Sequence, residues 1–302
     1  MTYQVIDVTV MADQADYEQL GTKKKFWVTG EKWGEKGSLF KYSRANTGEH
    51  WSEKCAAEIC GVLDIPHAEY EIAQCAGEWG VISRNFVSND DNLLMGNQLL
   101  EKYDIGYAVP TCDKPTVSDK YTISEVLGCL DFYERKSDIQ WSGPSGQELF
   151  CYYLLLDVIV GNQDRHHENW AILEDARNKV RRMAPTYDHA SSMGRELSDE
   201  KRKERLTTKD RGYAVRAFAE RAKTPFRDEN TTKKLTTIEA LLRVLSAKPS
   251  FRSPCLQKIE CLTRPVIEEV FLNVPSCCIS EVAREFAIRL VQENVQRIKE
   301  NV

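Results

Sequence analysis

"GNQDRHHENWAIL", residues 161–173, follows the apolar run "LFCYYLLLDVIV" and gathers an aspartate, an arginine, two histidines, a glutamate and an asparagine before turning apolar again. Polar surface loops between buried elements are common, so the stretch gains meaning only from partners elsewhere. The next segment supplies them. "WAILEDARNKVRRMAPTYDHA" reads as a strand over 170–173, a turn over 174–179 and a strand over 180–186. In an antiparallel hairpin, the residue before the first strand and the residue after the second lie at the same end. That pattern predicts Asn169 and Asp188 side by side, with Asp164 five positions before Asn169.

An asparagine carbonyl and a carboxylate are hard oxygen ligands suited to Mg2+, which takes one or two carboxylates plus substrate phosphates. The order D-x-x-x-x-N, short hairpin, D matches the active-site order of kinases: an orienting or basic aspartate, a metal asparagine, a metal aspartate. Phosphoryl transfer calls for this grouping because its transition state is stabilised mainly by positioning and by cations on the phosphate oxygens. Chance supplies D-x-x-x-x-N often; the hairpin and the second aspartate give it specificity.

A cation for the nucleotide phosphates is sought upstream. "KKKFWVTG" (23–30) and "GSLFKYSR" (37–44) are β-prone runs joined by "GEKWGEKG", with Gly30, Gly34 and Gly37. Alternation puts Lys41 on the face of Leu39, opposite Phe40 and Tyr42. Taken alone, Lys41 would be a side chain snorkelling from a strand edge; the downstream constellation favours a phosphate contact. "EHWSEKCAAEICGVLDIP" (49–66) reads as an amphipathic helix with Cys55, Ala56, Ile59, Cys60 and Leu63 on one stripe. Glu53 and Glu58 both flank that stripe, so periodicity does not choose which would pair with Lys41. Two further β-prone runs flank "AGEWG", and the chain turns polar at "SNDDN". From about Asn92 onward helical patterns dominate. The charged run 195–211 reads as a solvated or mobile segment.

At 302 residues, the length prior of roughly 100 to 200 residues per domain suggests two lobes. With 41 basic against 46 acidic residues, the formal charge of -5 argues against a nucleic-acid binder held by phosphate neutralisation. The ten cysteines form no C-x-x-C pair and read as reduced, mostly buried thiols of a cytoplasmic protein. The N-terminal stretch does not read as a secretory signal. The longest apolar run, Leu149 to Val160, contains Asp157 and falls short of the ~20 residues that span a bilayer.

With these residues in place, the sequence resembles the HipA-like kinases, a bacterial family related in fold to protein and phosphoinositide kinases. "FWVTGEKWGEKGSLFK", "WSEKCAAEICGVLDIPHAEYEI", "VISRNFV", "GNQDRHHEN" and "PTYDHASS" carry the resemblance, in that order. It implies a two-lobed α+β fold: a small antiparallel sheet with one helix over 1–88, and a larger, mostly helical lobe over 89–302. It also implies ATP and Mg2+ as cofactors. Asp164 would orient or deprotonate the acceptor hydroxyl, and Asn169 and Asp188 would hold Mg2+. Lys41 would contact the α- and β-phosphates, held by Glu53. The turn with Gly34 and Gly37 would cover the phosphates, and Ser83, Arg84, Asn85 and Phe86 would form the hinge beside adenine. Asp164, Arg165 and His166 make a D-R-H resembling the phosphoinositide kinases, in which the histidine lies near the transferred phosphate or holds the loop by hydrogen bonds.

Departures limit the transfer. "NQD" stands for the "HRD" of eukaryotic protein kinases and "DHA" for their "DFG", and no "APE" follows. Lys41 comes so early that the chain resembles the short, stand-alone members of the family. Family toxins are restrained by autophosphorylation on a serine of the glycine-rich loop; Ser38 and Thr29 are the hydroxyls near that place. The expected function is a serine/threonine protein kinase of toxin type, with a protein substrate, by resemblance an aminoacyl-tRNA synthetase, and an antitoxin partner. The alternatives are a lipid or small-molecule kinase and a catalytically silent nucleotide- or partner-binding module. No direct nucleic-acid contact and no membrane span are expected.

Overall fold

The computed structural model describes residues 2–12, 16–17, 24–29, 37–107 and 118–302. The first elements are β1 (Val5–Asp7), α1 (Thr9–Ala12), β2 (Asp16–Tyr17), β3 (Lys25–Val28), β4 (Ser38–Tyr42), α2 (Glu49–Val62), β5 (Tyr70–Cys75) and β6 (Glu78–Arg84). Their strands form one sheet in the order β1-β5-β6-β4-β3-β2. It is antiparallel except for β1, which runs parallel to β5. Alternation decides which side is apolar: Phe26, Val28 and Phe40 are buried in one cluster, with the Phe26 and Phe40 rings 5.1 Å apart. Lys41, next along β4, points to the other face, as its spacing predicts.

Helix α2 buries the anticipated stripe, Cys55, Ala56, Ile59 and Cys60 at 0 % exposure and Leu63 at 1 %. These side chains join the main core of the helical part, whereas Ala57 packs with Tyr70 and Val81 of the sheet. One helix is thereby gripped from both sides.

The remaining elements are β7 (Asp91–Met95), α3 (Gly96–Tyr103), α4 (Ile123–Arg135), β8 (Gln140–Trp141), α5 (Gly146–Val160), β9 (Ala171–Asp175), β10 (Val180–Met183), α6 (Asp199–Thr207), α7 (Val215–Glu220), β11 (Lys223–Arg227), β12 (Lys234–Thr236), α8 (Thr237–Ala247), α9 (Arg252–Glu260), α10 (Arg264–Leu272) and α11 (Glu281–Asn301). Helix α5 is apolar all round, and every residue except Glu148 is buried. Such a helix belongs at the centre of a core, and each of its fully buried large side chains contributes roughly 1.5–3 kcal/mol. Gly161 ends it in the left-handed region at φ 66°, a conformation that costs a glycine little. The chain leaves there for the polar loop.

Three expectations are corrected. Residues 91–95, read as the start of helical territory, form strand β7, because their backbone pairs antiparallel with β9 from Asp91↔Asp175 to Met95↔Ala171. The β11–β12 hairpin also interrupts the helical pattern. The charged run 195–211 is not merely solvated: it contains α6, capped by Ser198, with Arg202 buried and donating to Gly194 O and to Asp199. Nine cysteines are described, seven buried and two, Cys261 and Cys277, exposed, all as free thiols. Among the described residues, no helix is long and apolar enough to cross a membrane.

Candidate active site

The polar loop is pinned from below by α5. Asp157, one helical turn before Gly161, receives Arg165 Nε and Nη2 at 2.8 Å each and Asn162 Nδ2 at 2.8 Å. Arg165 is fully buried. Burial alone would lower its pKa, but the charge and hydrogen bonds of Asp157 outweigh that and raise it. Its third donor, Nη1, reaches Asn169 O at 2.7 Å, and Tyr121 Oη donates to Arg165 O at 3.0 Å. This network fixes the path of the loop from Asn162 to Asn169.

Asn169 and Asp164 meet within that loop, since Asn169 Nδ2 donates to Asp164 O at 2.6 Å. The donation settles which end of the amide is which and turns Oδ1, a hard oxygen, away from that bond. His166 Nδ1 accepts the Glu168 backbone N–H at 3.2 Å. In the neutral ring the proton therefore sits on Nε2, which lies 3.9 Å from Asp164 Oδ1. A ring held in this way presents its Nε2–H on the side of Asp164. Its neighbour His167 faces inward, with Nδ1 2.7 Å from Tyr107 Oη; burial, then His166, lower its pKa to about 4.

The hairpin has the anticipated geometry. β9 and β10 pair from Val180↔Asp175 to Met183↔Ile172, and Ala184 N donates to Ala171 O. Both limbs therefore leave the hairpin at one end. Tyr187 Oη donates to Glu168 O at 2.8 Å, tying together the residues that precede Asp188 and Asn169. Asp188 has φ 60°, a left-handed conformation that aspartate adopts more readily than most residues but that still needs external support. Farther on, Gln163 N donates to Ser191 O and Met193 N to Val160 O, closing the aspartate segment against the polar loop.

Lys41 comes to this place from the sheet: its Nζ lies 3.8 Å from Asp188 Oδ2, with the side chains 18 % and 32 % exposed. The expected Lys41–Glu53 ion pair is corrected. Glu53 Oε1 instead accepts His189 N at 2.7 Å and stands 3.1 Å from His189 Nδ1, while Glu58 pairs with Lys54 at 2.7 Å. Glu53 is drawn to His189 because α2 packs against the segment after Asp188, where a buried backbone N–H and a ring N–H both need an acceptor.

At the hinge positions, Ser83 pairs across the sheet with Leu39 and Tyr70, and Arg84 ends β6, paired with Ser38. Asn85 N donates to Gly37 O at 3.3 Å, and Asn85 Oδ1 accepts Val87 N at 3.0 Å. Phe86 stacks on Tyr187, centroids 5.7 Å apart at 28°, and the two rings are shared by two small apolar clusters that include Val81, Leu173 and Ala184. Phe86 and Tyr187 thus form an aromatic pair packed beside the segment expected to act as the hinge. Gly37 has φ 73°, and a Cβ there would come within 2.5 Å of Val28 O. Gly34 and most of the turn lie outside the described residues. Ser38 is 1 % exposed, whereas Thr29 is exposed.

Among the described residues, no three His, Cys, Asp or Glu side chains form a ready cage for a metal. Asn169 Oδ1 and one Asp188 carboxylate fit Mg2+ better than metals that need a full protein cage, because Mg2+ fills its octahedron with water and phosphate oxygens. A cavity of about 800 Å3 between α6, α7, α10 and α11 contains none of these residues.

The sequence alone left three contributors unassigned: Asp157, Tyr121 and His189. Asp157 had a signal, as the sole charge within "LFCYYLLLDVIV"; a buried carboxylate requires a partner, and Arg165 was at hand. His189 registered only as a departure from "DFG".

Neither a protein-family model nor a curated protein matches the sequence. Solved structures do match. The Helicobacter pylori proinflammatory kinase CtkA superposes with a TM-score of 0.70 at 19 % identity, over 98 % of this chain and 96 % of that one. HipA of Shewanella oneidensis MR-1, solved with HipB and operator DNA, superposes with a TM-score of 0.54 at 12 % identity, over 94 % of this chain and 64 % of HipA. The chain thus spans just under two thirds of HipA's length. An α+β arrangement of small, largely antiparallel sheets and many helices, superposing over 98 % of this chain on CtkA and 94 % on HipA, identifies this chain's fold as the HipA-like kinase fold.

Proposed function

We propose that the chain is an ATP- and Mg2+-dependent kinase that phosphorylates a serine or threonine hydroxyl of a protein. The observation that carries this reading is the 3.8 Å approach of Lys41 to Asp188. It brings the one cation expected on the phosphates to the carboxylate expected on the metal, above a loop that holds Asp164 and Asn169 by 2.6 Å. Phosphoryl transfer asks for this set of groups.

In this reading, Asn169 Oδ1 and Asp188 hold Mg2+, which when bound neutralises charge on the phosphate oxygens. Lys41 binds the α- and β-phosphates, and adenine lies beside Phe86 and the 83–86 segment. Asp164 orients the acceptor hydroxyl and takes its proton as the new O–P bond forms and the bond from Pγ to the bridging oxygen breaks, releasing ADP. His166 Nε2–H donates to the transferred phosphate. HipA is solved with HipB and operator DNA, and by analogy a restraining protein partner and a toxin-type role are part of the proposal.

The test compares wild type with Asp164→Asn for transfer of labelled γ-phosphate, first to itself and then to a cell lysate. Label on a lysate protein from wild type alone supports the reading. Label in the lipid extract moves the acceptor to a lipid, and equal silence from both proteins overturns the reading.

A further inference from the structure

Asp188 is the one residue of the proposed metal site in a left-handed backbone conformation, φ 60°, and something must keep it there. On its N-terminal side the chain is fastened to the sheet's connecting loop: Thr186 N donates to Pro66 O, Ala68 N to Thr186 O, and Asp188 N to Tyr70 Oη at 3.2 Å. On its C-terminal side Gln163 N and Met193 N tie the chain to the polar loop and to Val160 O from residue 191 onward, and the fastening nearest Asp188 comes from α2. Glu53 Oε1 takes His189 N at 2.7 Å and His189 Nδ1 at 3.1 Å, and Ser52 Oγ reaches Ser192 O at 3.2 Å.

The imidazole then closes a short circuit. A carboxylate only accepts, so Nδ1 carries the proton facing Glu53. Nε2 of the neutral ring therefore accepts from Thr186 Oγ1, 2.8 Å away. One ring thus ties residue 186 to residue 189 with Asp188 between them, and Glu53, Thr186 and His189 are each no more than 1 % exposed. Hydrogen bonds to a carboxylate in so dry a place are the strong kind, and all three side chains are otherwise committed to nothing at the cleft.

We infer that Glu53 and His189 are positioning residues for the metal: α2 sets the direction of the Asp188 carboxylate through the His189 backbone and ring, and not through Lys41. The inference rests on the proposed role of Asp188 in holding Mg2+. It separates two duties that a lysine–glutamate clamp would merge. Loss of Lys41 should be felt at the nucleotide phosphates, and loss of Glu53 at the metal.

The probe is Mn2+ standing in for Mg2+, bound with a non-hydrolysable ATP analogue and read by electron paramagnetic resonance. Alongside it, hydrogen exchange of the 186–192 segment is measured without ligands. Outer partners of metal ligands typically change affinity by about 10- to 100-fold, so Glu53→Ala and His189→Ala should each weaken Mn2+ binding by at least about tenfold and speed exchange at 186–192. The double variant should be no worse than the poorer single one. His189→Asn, whose amide N–H can replace Nδ1–H, should recover most of the loss, and Glu53→Gln, which keeps an acceptor for His189 N, guards against a simple folding failure. Lys41→Met should weaken the nucleotide analogue and leave exchange at 186–192 unchanged.

Unaltered Mn2+ affinity in Glu53→Ala and Glu53→Gln, or additive losses in the double variant, would overturn the inference. Should wild type bind no Mn2+ with the analogue, the kinase reading falls, while exchange in the ligand-free chain still decides whether Glu53 and His189 hold the segment: unchanged exchange overturns that coupling and faster exchange supports it.

Discussion

Asp157 and Arg165 face each other through two parallel hydrogen bonds of 2.8 Å, with side chains 3 % and 0 % exposed. Two charges taken out of water this completely recover their desolvation only when paired. Asp157→Ala leaves the guanidinium buried alone and should cost about 3–5 kcal/mol in urea unfolding. The pair Asp157→Leu with Arg165→Met should regain most of that stability. It should not regain phosphate transfer, because Arg165 Nη1 also holds Asn169 O. A single-variant loss below about 1 kcal/mol, the range of exposed pairs, would show that the pair does not pin the loop.

His50 predicts an acid limb of stability. It stacks on Trp79 at 5.2 Å, and Nε2 donates to Cys278 O at 3.0 Å; burial lowers its pKa to about 4 against the attractions of that carbonyl and of Glu49. Because the folded pKa is depressed below the ordinary 6.5, the unfolded chain binds the extra proton first. The contribution is complete above pH 6.5 and fades as pH falls towards 4, by roughly 3 kcal/mol in all. His50→Phe keeps the stack and removes the proton site. Its unfolding free energy should start lower at pH 7, through the lost carbonyl bond, and then fall less between pH 7 and 4.5 than that of wild type. Parallel pH profiles would refute this assignment.

The candidate site was legible where its geometry is local. A five-residue spacing and a tight hairpin are enough to bring Asp164, Asn169 and Asp188 to one end, although Asp157 and Tyr121 then hold the loop and Tyr70 and Glu53 the segment around Asp188, and α5 announces itself by being apolar on every face. Glu53 was not legible in the same way. Its partner His189 is 136 positions away, and only the packing of α2 across both parts of the fold chooses His189 over Lys41. The short run "DNLLM" of β7 carries no clear alternation, and its pairing with β9 makes it a strand. Helix α6 has a single buried side chain, Arg202, too little for an apolar stripe to mark it.

Gly37 tests the part of the sheet where the phosphates are proposed to bind. At φ 73°, with a hypothetical Cβ 2.5 Å from Val28 O, alanine meets both a left-handed backbone penalty of roughly 1–2 kcal/mol and a carbonyl that belongs to β3. Gly37→Ala should therefore lose at least about 1–2 kcal/mol of thermal stability and weaken nucleotide binding, since Gly37 O also takes the N–H of Asn85, in the segment proposed to lie beside adenine. Wild-type stability and nucleotide affinity in this variant would show that the backbone at Gly37 does not constrain the site.

Lys41 separates a functional lysine from a structural one. Its ion pair with Asp188 is 3.8 Å long, and both partners are partly in water; such pairs contribute at most about 1 kcal/mol. A lysine kept for packing would behave otherwise, because its removal would expose the Leu39 side of β4. Lys41→Ala should then melt within a few degrees of wild type in the absence of ligand, while its affinity for an ATP analogue, read by fluorescence titration, drops at least tenfold. The sign of the remaining charge sharpens the comparison. With the ammonium gone, Asp188 keeps its carboxylate beside incoming phosphates, so the deficit should shrink when Mg2+ is raised, a recovery that a misfolded sheet would not show. A large drop in melting temperature with unchanged nucleotide affinity would assign Lys41 to the architecture of the sheet.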